Sequence, residues 1–144
     1  MDIRIFASMP DEKTLDQLCA LHNLVFSSTN GFYDELQSKH RPCILAVYDK
    51  ETAIGYKIGY ERKTNHFYSW LGGIHPDHRG KGVGEELLIC QHDWCRKNGY
   101  KSIRTHTKNQ WRSMLILNIK NGFDVIGTFT DGKGEPKIIL EKQL

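Results

Sequence analysis

The residues best suited to chemistry lie in one stretch, Trp70 to Trp94, WLGGIHPDHRGKGVGEELLICQHDW. Within it, Arg79-Gly80-Lys81-Gly82-Val83-Gly84 combines three glycines with two cations. The apolar run Trp70–Ile74 ahead of them must end at His75-Pro76, because proline brings no N–H to a sheet ladder. Behind them Val83, Leu87, Cys90 and Trp94 recur at helical spacing, while Glu85, Glu86, Asp93, Arg96 and Lys97 fall elsewhere on the wheel. Strand, glycine turn and helix in that order can hold an anion. Glycine allows positive φ and puts no side chain between backbone and ligand. The first N–H groups of a helix have no intrahelical partner and carry the positive end of its dipole. A phosphate fits there, and Arg79 and Lys81 add full charges. The plain alternative is a glycine-rich turn with solvated cations.

Spacing excludes two phosphate motifs. The Walker loop G-x-x-x-x-G-K-[ST] does not occur. The dinucleotide fingerprint needs G-x-G-x-x-G early in a βαβ unit, whereas the spacing here is G-x-G-x-G, past the middle of the chain. Cys90, His92 and Cys95 do not make a metal site, since helical positions two and five apart point away from each other. No metal is expected. The pattern that remains is R-x-x-G-x-G, at Arg79, Gly82 and Gly84, directly after a strand.

The composition frames these residues. A chain of 144 residues, 39% hydrophobic and 26% charged, is expected to form one domain, 1–144, with a core that needs no staples. No run approaches the ~20 apolar residues of a membrane span, and Met1-Asp2-Ile3-Arg4 has no signal-peptide core, so a cytoplasmic location and no membrane partner are expected. Cys19, Cys43, Cys90 and Cys95 are irregularly spaced and are read as free thiols. The net charge is +3, with 8 basic and 9 acidic side chains in residues 1–72 but 12 and 8 in residues 73–144. The half that holds the glycine turn is the basic one, as a phosphate-rich ligand favours. There is no basic stripe interleaved with aromatics, and no nucleic-acid partner is expected.

The elements that must position the turn follow from periodicity. Residues 3–7 read as a strand, and Pro10-Asp11-Glu12 opens a helix with Ser8 as its candidate cap and Leu15, Leu18, Cys19, Leu21 and Val25 inward. Residues 27–30 break that helix, and 32–39 form a second. Strands follow at 43–48, 53–61 and 66–74, an antiparallel meander in which Ile54, Tyr56, Ile58 and Tyr60 alternate with Gly55, Lys57 and Gly59. The helix after the glycine turn stops at Asn98-Gly99. A strand at 102–107, parallel to the one before the helix, precedes a helix at 110–120. Residues 123–129 and 136–140 form a hairpin around Asp131-Gly132-Lys133-Gly134. The order βααβββαβαββ describes a mixed α/β fold: a central mixed sheet of about seven strands flanked by about four helices.

That order, with R-x-x-G-x-G between the fourth strand and third helix, resembles the GNAT superfamily of N-acetyltransferases. A second motif agrees. The superfamily's helix after the fifth strand commonly ends in a pattern like L-Y-x-x-x-G-F, and here the stretch is Leu117-Asn118-Ile119-Lys120-Asn121-Gly122-Phe123. The resemblance covers nearly the whole chain and is clearest over 66–126. It implies acetyl-CoA as co-substrate and a primary amine as acceptor, acetylated by direct attack through a tetrahedral oxyanion. The backbone of Ile74 and its neighbours, His75 included, would pair with the pantetheine arm. The N–H groups of Arg79, Gly80, Lys81, Gly82, Val83 and Gly84 would hold the pyrophosphate, and Asn109 is a candidate pantetheine contact. A backbone N–H between Trp70 and Ile74 would stabilise the oxyanion.

The sequence also departs from the superfamily's pattern. The usual Tyr that protonates the leaving thiolate is replaced by Asn118, a hydrogen-bond donor but no useful acid. It shares a helix face with Trp111, Met114 and Leu115, so it is expected to be buried and in need of a partner. Asn109 stands two residues further from position 118 than is commonest. The strand before the turn carries no Glu to act as base, which leaves Tyr68, Glu61 and His66 as candidates. The acceptor site would lie around Phe26–Gln37 and the final hairpin, with Phe32, Tyr33, Asp34, Glu35 and Trp70 as candidates. The two carboxylates would suit a cationic amine. The rival reading is an acyl-CoA-binding regulatory module that has lost its acid and base. The acceptor could be a small molecule or a protein amine, and a homodimer is an open alternative to a monomer.

Overall fold

The computed structural model describes residues 1–28 and 31–144. The elements are β1 (Asp2–Phe6), α1 (Glu12–Phe26), α2 (Phe32–Ser38), β2 (Cys43–Asp49), β3 (Thr52–Lys63), β4 (His66–Ile74), a 3₁₀ turn (Pro76–His78), α3 (Val83–Lys97), β5 (Ser102–Thr107), α4 (Arg112–Lys120), β6 (Asp124–Thr130) and β7 (Pro136–Gln143). This is the expected order, and boundaries differ by a few residues at most. Of the break expected over 27–30, Thr29 and Asn30 lie outside the described residues. Ser27 caps α1 in the left-handed region, at φ 58. The N-cap of α1 is Asp11, not Ser8, because the Asp11 carboxylate accepts the Thr14 N–H at 2.9 Å.

The sheet runs β1-β2-β3-β4-β5-β7-β6, antiparallel throughout except for β4 beside β5. Helices cover both of its faces, so β2, in the middle of one half, is buried through its first six residues. Cys43, Leu45 and Val47 point into one core with Phe67, Ile103, Leu87 and Leu88, under α3 and α4. Ile44, Ala46 and Tyr48 point into the other with Leu15, Leu18, Leu21, Phe32 and Leu36, under α1 and α2. The alternation of β3 breaks at Ile54. It is the extra residue of a bulge, since Val47 faces Gly55 and Tyr48 faces Ala53, and so it joins the α3 side while Tyr56 and Ile58 join the α1 side.

Two features of β4 position the site. Ile58 faces Leu71 and Gly59 faces Ser69, which leaves Trp70 as the extra residue of a second bulge. The ladder to β5 holds only from His66↔Ser102 to Ser69↔Thr105. Beyond that point the two parallel strands diverge. Trp70–Ile74 keep β3 on one side and, among the described residues, have no strand on the other.

Candidate active site

The glycine turn takes the conformation its composition requires. Gly80 and Gly82 have φ of +75 and +81, and a Cβ built at either meets nothing within 4 Å. Protein packing therefore leaves the space over the turn open. Gly82 caps α3 without a side-chain bond, and the first intrahelical bond runs from Glu86 N–H to the Gly82 carbonyl at 3.1 Å. The N–H groups of Val83, Gly84 and Glu85 precede that bond and remain for a ligand. Val83 itself is buried in the core and anchors the helix start. Arg79 is not a free charge. Its Nε donates to the Ile74 carbonyl at 3.1 Å, fastening the turn to the end of β4. His75 N–H donates to the Ile54 carbonyl at 2.8 Å, and its Nδ1 accepts the Asp77 N–H. Lys81 is exposed.

α4 docks its C-terminal half on this turn. Leu117 lies 3.7 Å from a Cβ built at Gly84, and Asn121 Nδ2 donates to Glu85 at 3.1 Å. Asn118 is 3% exposed, the one buried residue of α4. The expected burial is there; on the same face Leu115 packs against the core under α3 and Met114 is half-buried, while Trp111 is 42% exposed. Asn109 stands exposed in the turn between β5 and α4.

On the other side of the fork is a cavity of about 230 Å³. β4 contributes Tyr68, from the last paired stretch, and Trp70, from the bulge; β5 contributes His106 and Thr107, just past the end of the ladder. Trp111 and Phe129 also line it, with Asp131 and Lys137 of the final hairpin. The rings are mutually packed: His106 lies 5.1 Å from both Tyr68 and Phe129, and Phe26 of α1 reaches across to Trp111 at 6.4 Å. The Thr107 hydroxyl is buried and has no partner among the described residues. A larger cavity, about 410 Å³, lies between β1 and the outer face of α3. Its lining includes no residue of the glycine turn or of the fork, so the smaller cavity is the candidate site.

The structure brings Trp70 and Tyr68 together but leaves other candidates elsewhere. Burial pushes the Tyr68 phenol up to about 12, and the Tyr60 ring beside it adds to the effect, so Tyr68 is no base at neutral pH. Glu61 faces Phe67, on the sheet side opposite Tyr60 and Tyr68, and its carboxylate pairs with His40 at 3.2 Å and Arg41 at 3.5 Å. It is a structural ion pair, away from the fork. His66 sits at the far start of β4, bonded through Nδ1 to Ser102 Oγ at 2.6 Å. Phe32 is 5% exposed, a core residue against which His22 stacks. The Tyr33 hydroxyl accepts from Gln37, and Tyr33, Asp34 and Glu35 are exposed on α2 outside the cavity.

His106, which no local sequence pattern marks, also lines the cavity. Burial, followed by the charges of Arg104, Arg62 and Lys137, holds its imidazole below the ordinary pKa. It is therefore a neutral proton acceptor at physiological pH, inside the cavity. The signal that could have found it is register: in a parallel pair with Tyr68 beside Arg104, His106 falls on the Tyr68 face, one pleat nearer the fork.

No sequence among curated proteins matches the chain. Solved structures match it closely in shape. An aminoglycoside 6'-N-acetyltransferase complexed with coenzyme A superposes with a TM-score of 0.83 at 14% identity, over 99% of this chain and 97% of that one. The PaiA N-acetyltransferase of Thermoplasma acidophilum, in complex with coenzyme A, does so at 0.79 and 20% identity over the whole of both chains. An IAA acetyltransferase from Bacillus cereus ATCC 14579 gives 0.77 at 18%, over 99% and 100%. At such identities the likeness is one of fold. The sequence itself carries the family: the family model described as Acetyltransferase (GNAT) family matches residues 13–113. The chain belongs to the acetyltransferase (GNAT) family and is an N-acetyltransferase with that family's seven-stranded fold.

Proposed function

We propose that the protein moves the acetyl group of acetyl-CoA to the nitrogen of a primary amine by direct attack, with the thioester in the fork between β4 and β5. The observation that carries this reading is the divergence after Ser69↔Thr105, which leaves the edge of Trp70–Ile74 without a strand. An extended pantetheine arm is a fitting partner for that edge. The open turn from Arg79 to Gly84 suits the pyrophosphate, with main-chain N–H groups as its principal donors. The unpartnered Thr107 hydroxyl inside the fork is a group that a ligand there would satisfy.

The steps follow from what each side chain is able to do. The acceptor enters from the aromatic cavity as an ammonium and gives a proton to neutral His106. Its nitrogen attacks the thioester carbonyl, and an N–H at the Trp70 bulge holds the oxyanion. The carbon–sulfur bond then breaks as the amide forms, and the second nitrogen proton passes to solvent water. Asn118 donates a hydrogen bond to the leaving sulfur. That suffices for a thiol of ordinary pKa near ~8.5, which leaves as thiolate without a strong acid. Of the cofactor contacts suggested by resemblance, Asn109 has the least support, since it stands in the turn on the far side of Thr107.

Acetyl-CoA must stabilise a fold that binds it. At ~100-fold excess over Kd the gain is roughly 2.7 kcal/mol, read as a rise in melting temperature. A melting temperature unmoved by millimolar acetyl-CoA removes the basis of this reading. Thiol release on adding an amine then distinguishes an enzyme from a module that only binds.

A further inference from the structure

We propose that the acceptor is a single amine carried on an aromatic ring by a short arm, and not a polycation such as a polyamine or an aminoglycoside. This rests on the acetyl-transfer reading above and concerns the cavity of about 230 Å³ on the α1 side of the fork. Five rings face it: Tyr68, Trp70, His106, Trp111 and Phe129. Tyr68 and Trp70 line it from β4, Trp111 from the start of α4 and Phe129 from β6, with His106 5.1 Å from both Tyr68 and Phe129. Between them a flat ring finds offset and edge-on partners, with its amine arm reaching the diverging strands. A volume of this size admits one ring and an arm and is smaller than the cavities that hold drug-sized ligands, roughly 300–1,000 Å³.

The charges argue against a polycation. Among the described residues, Asp131 is the one carboxylate lining the cavity. Its Oδ1 accepts the Lys133 and Glu135 N–H groups, each at 2.9 Å, and its Oδ2 lies 3.8 Å from Lys137 Nζ. Glu135 behind it is engaged by Lys108 at 3.3 Å and Lys137 at 3.7 Å. The rings are also already supplied with cations. Lys108 and Lys137 stand over Trp111, at 4.5 and 5.5 Å, and Lys39 stands over Trp70 and Tyr60, at 4.6 and 4.9 Å. Each further ammonium on an acceptor would meet a lysine where it needs a free carboxylate or an open ring face. One amine, neutralised by His106 as it enters, avoids this repulsion.

The test measures acetyl-CoA binding to the whole chain first and then thiol release with four probes: tyramine, tryptamine, spermidine and kanamycin. The expected result is a kcat/KM for tyramine or tryptamine at least tenfold above that for spermidine and kanamycin. Trp111→Ala changes an exposed ring. It is expected to raise the tyramine KM at least tenfold while the acetyl-CoA KM stays within twofold, and Phe129→Leu is expected to act in the same direction. The proposal is overturned if spermidine or kanamycin equals the aromatic amines, if neither aromatic amine turns over in a protein that binds acetyl-CoA, or if both variants leave the tyramine KM unchanged. Failure to bind acetyl-CoA at all is a different result, which removes the acetyl-transfer reading and this proposal with it.

Discussion

At the residue scale, the glycine turn separates backbone geometry from side-chain charge. Gly82 has φ +81 and open space where a Cβ would project, so alanine there meets no protein atom but adds roughly 1–2 kcal/mol of backbone strain. Relief of that strain turns the N–H groups at the start of α3, and the added methyl stands where a phosphate oxygen would approach. Gly82→Ala is expected to weaken acetyl-CoA binding at least tenfold, about 1.4 kcal/mol. Arg79→Ala removes a charge and the clip on the Ile74 carbonyl but leaves the main-chain donors in place. Its loss should be smaller, and titration calorimetry of the two variants with acetyl-CoA checks the order. A larger loss for Arg79 would transfer the phosphate's hold from backbone to side chain. His106 makes a second test. Because its pKa is held below the usual value, it is unprotonated through neutral pH and the rate should fall only as acid protonates it. His106→Gln should lower kcat at least tenfold and flatten that acid limb, with the KM for acetyl-CoA unchanged. A pH–rate profile that keeps its acid limb in the variant would assign the base elsewhere. The turn was legible because glycine spacing, proline and helix periodicity are local signals. His106 was not, because only the pairing of β5 with β4 turns it towards Tyr68.

At the element scale, β3 and β4 decide whether a fork exists. Both carry a bulge, and neither bulge has a sequence signature stronger than a disturbed alternation. The meander, its boundaries and the parallel β4–β5 pair were readable from periodicity and from the helix between them. The place where β4 and β5 part was not, nor the insertion of β7 between β5 and β6, because both depend on packing among elements far apart in the chain. Gly59 shows how tightly the paired end of the fork is set. A Cβ there would overlap the Phe67 ring and come within 2.6 Å of the Tyr68 carbonyl, so glycine is required by space, whatever its φ. Phe67 cannot retreat, since Trp94 and Tyr100 pack on it at 5.6 and 5.1 Å. Gly59→Ala must push β3 from β4 and is expected to cost about 1–3 kcal/mol, as overpacking does. Urea unfolding measures it, and a midpoint equal to the parent's would mean the strands slide freely at that point. If they do shift, Tyr68 and Trp70 move with β4, and the variant should also raise the acceptor's KM.

At the scale of the whole molecule, stability is tied to protons through buried imidazoles. His92 on α3 is 2% exposed, against Phe123, and its Nδ1 accepts from Lys142 Nζ at 3.1 Å. Burial first, then the charges of Lys142, Lys57 and Arg96, push its pKa down to about 3. Unfolded, the same imidazole titrates near ~6.5. Between these values the unfolded chain holds a proton that the folded chain does not, so stability rises with pH across the window and is lost as pH falls through it. At pH 4.5, two units below the unfolded value, the loss from this one group is about 3 kcal/mol, a large share of an ordinary domain's 5–15. His22, His66 and His106 are shifted in the same direction and add to the slope. Asp11 and Asp131 are held below the usual carboxylate range by hydrogen bonds to Thr14 and Glu135, so what they contribute is lost only in stronger acid, below the ordinary carboxylate pKa. His92→Phe keeps a ring against Phe123 and removes the titration. It will lower stability at pH 7, because Lys142 Nζ loses one acceptor and keeps the Asn121 carbonyl at 2.8 Å. Its stability should nevertheless fall less steeply between pH 6.5 and 4.5 than the parent's, by roughly 2 kcal/mol across the interval. Urea midpoints at several pH values for both proteins give the two slopes, and parallel curves would show that His92 is protonated in the folded state and the acid sensitivity arises elsewhere.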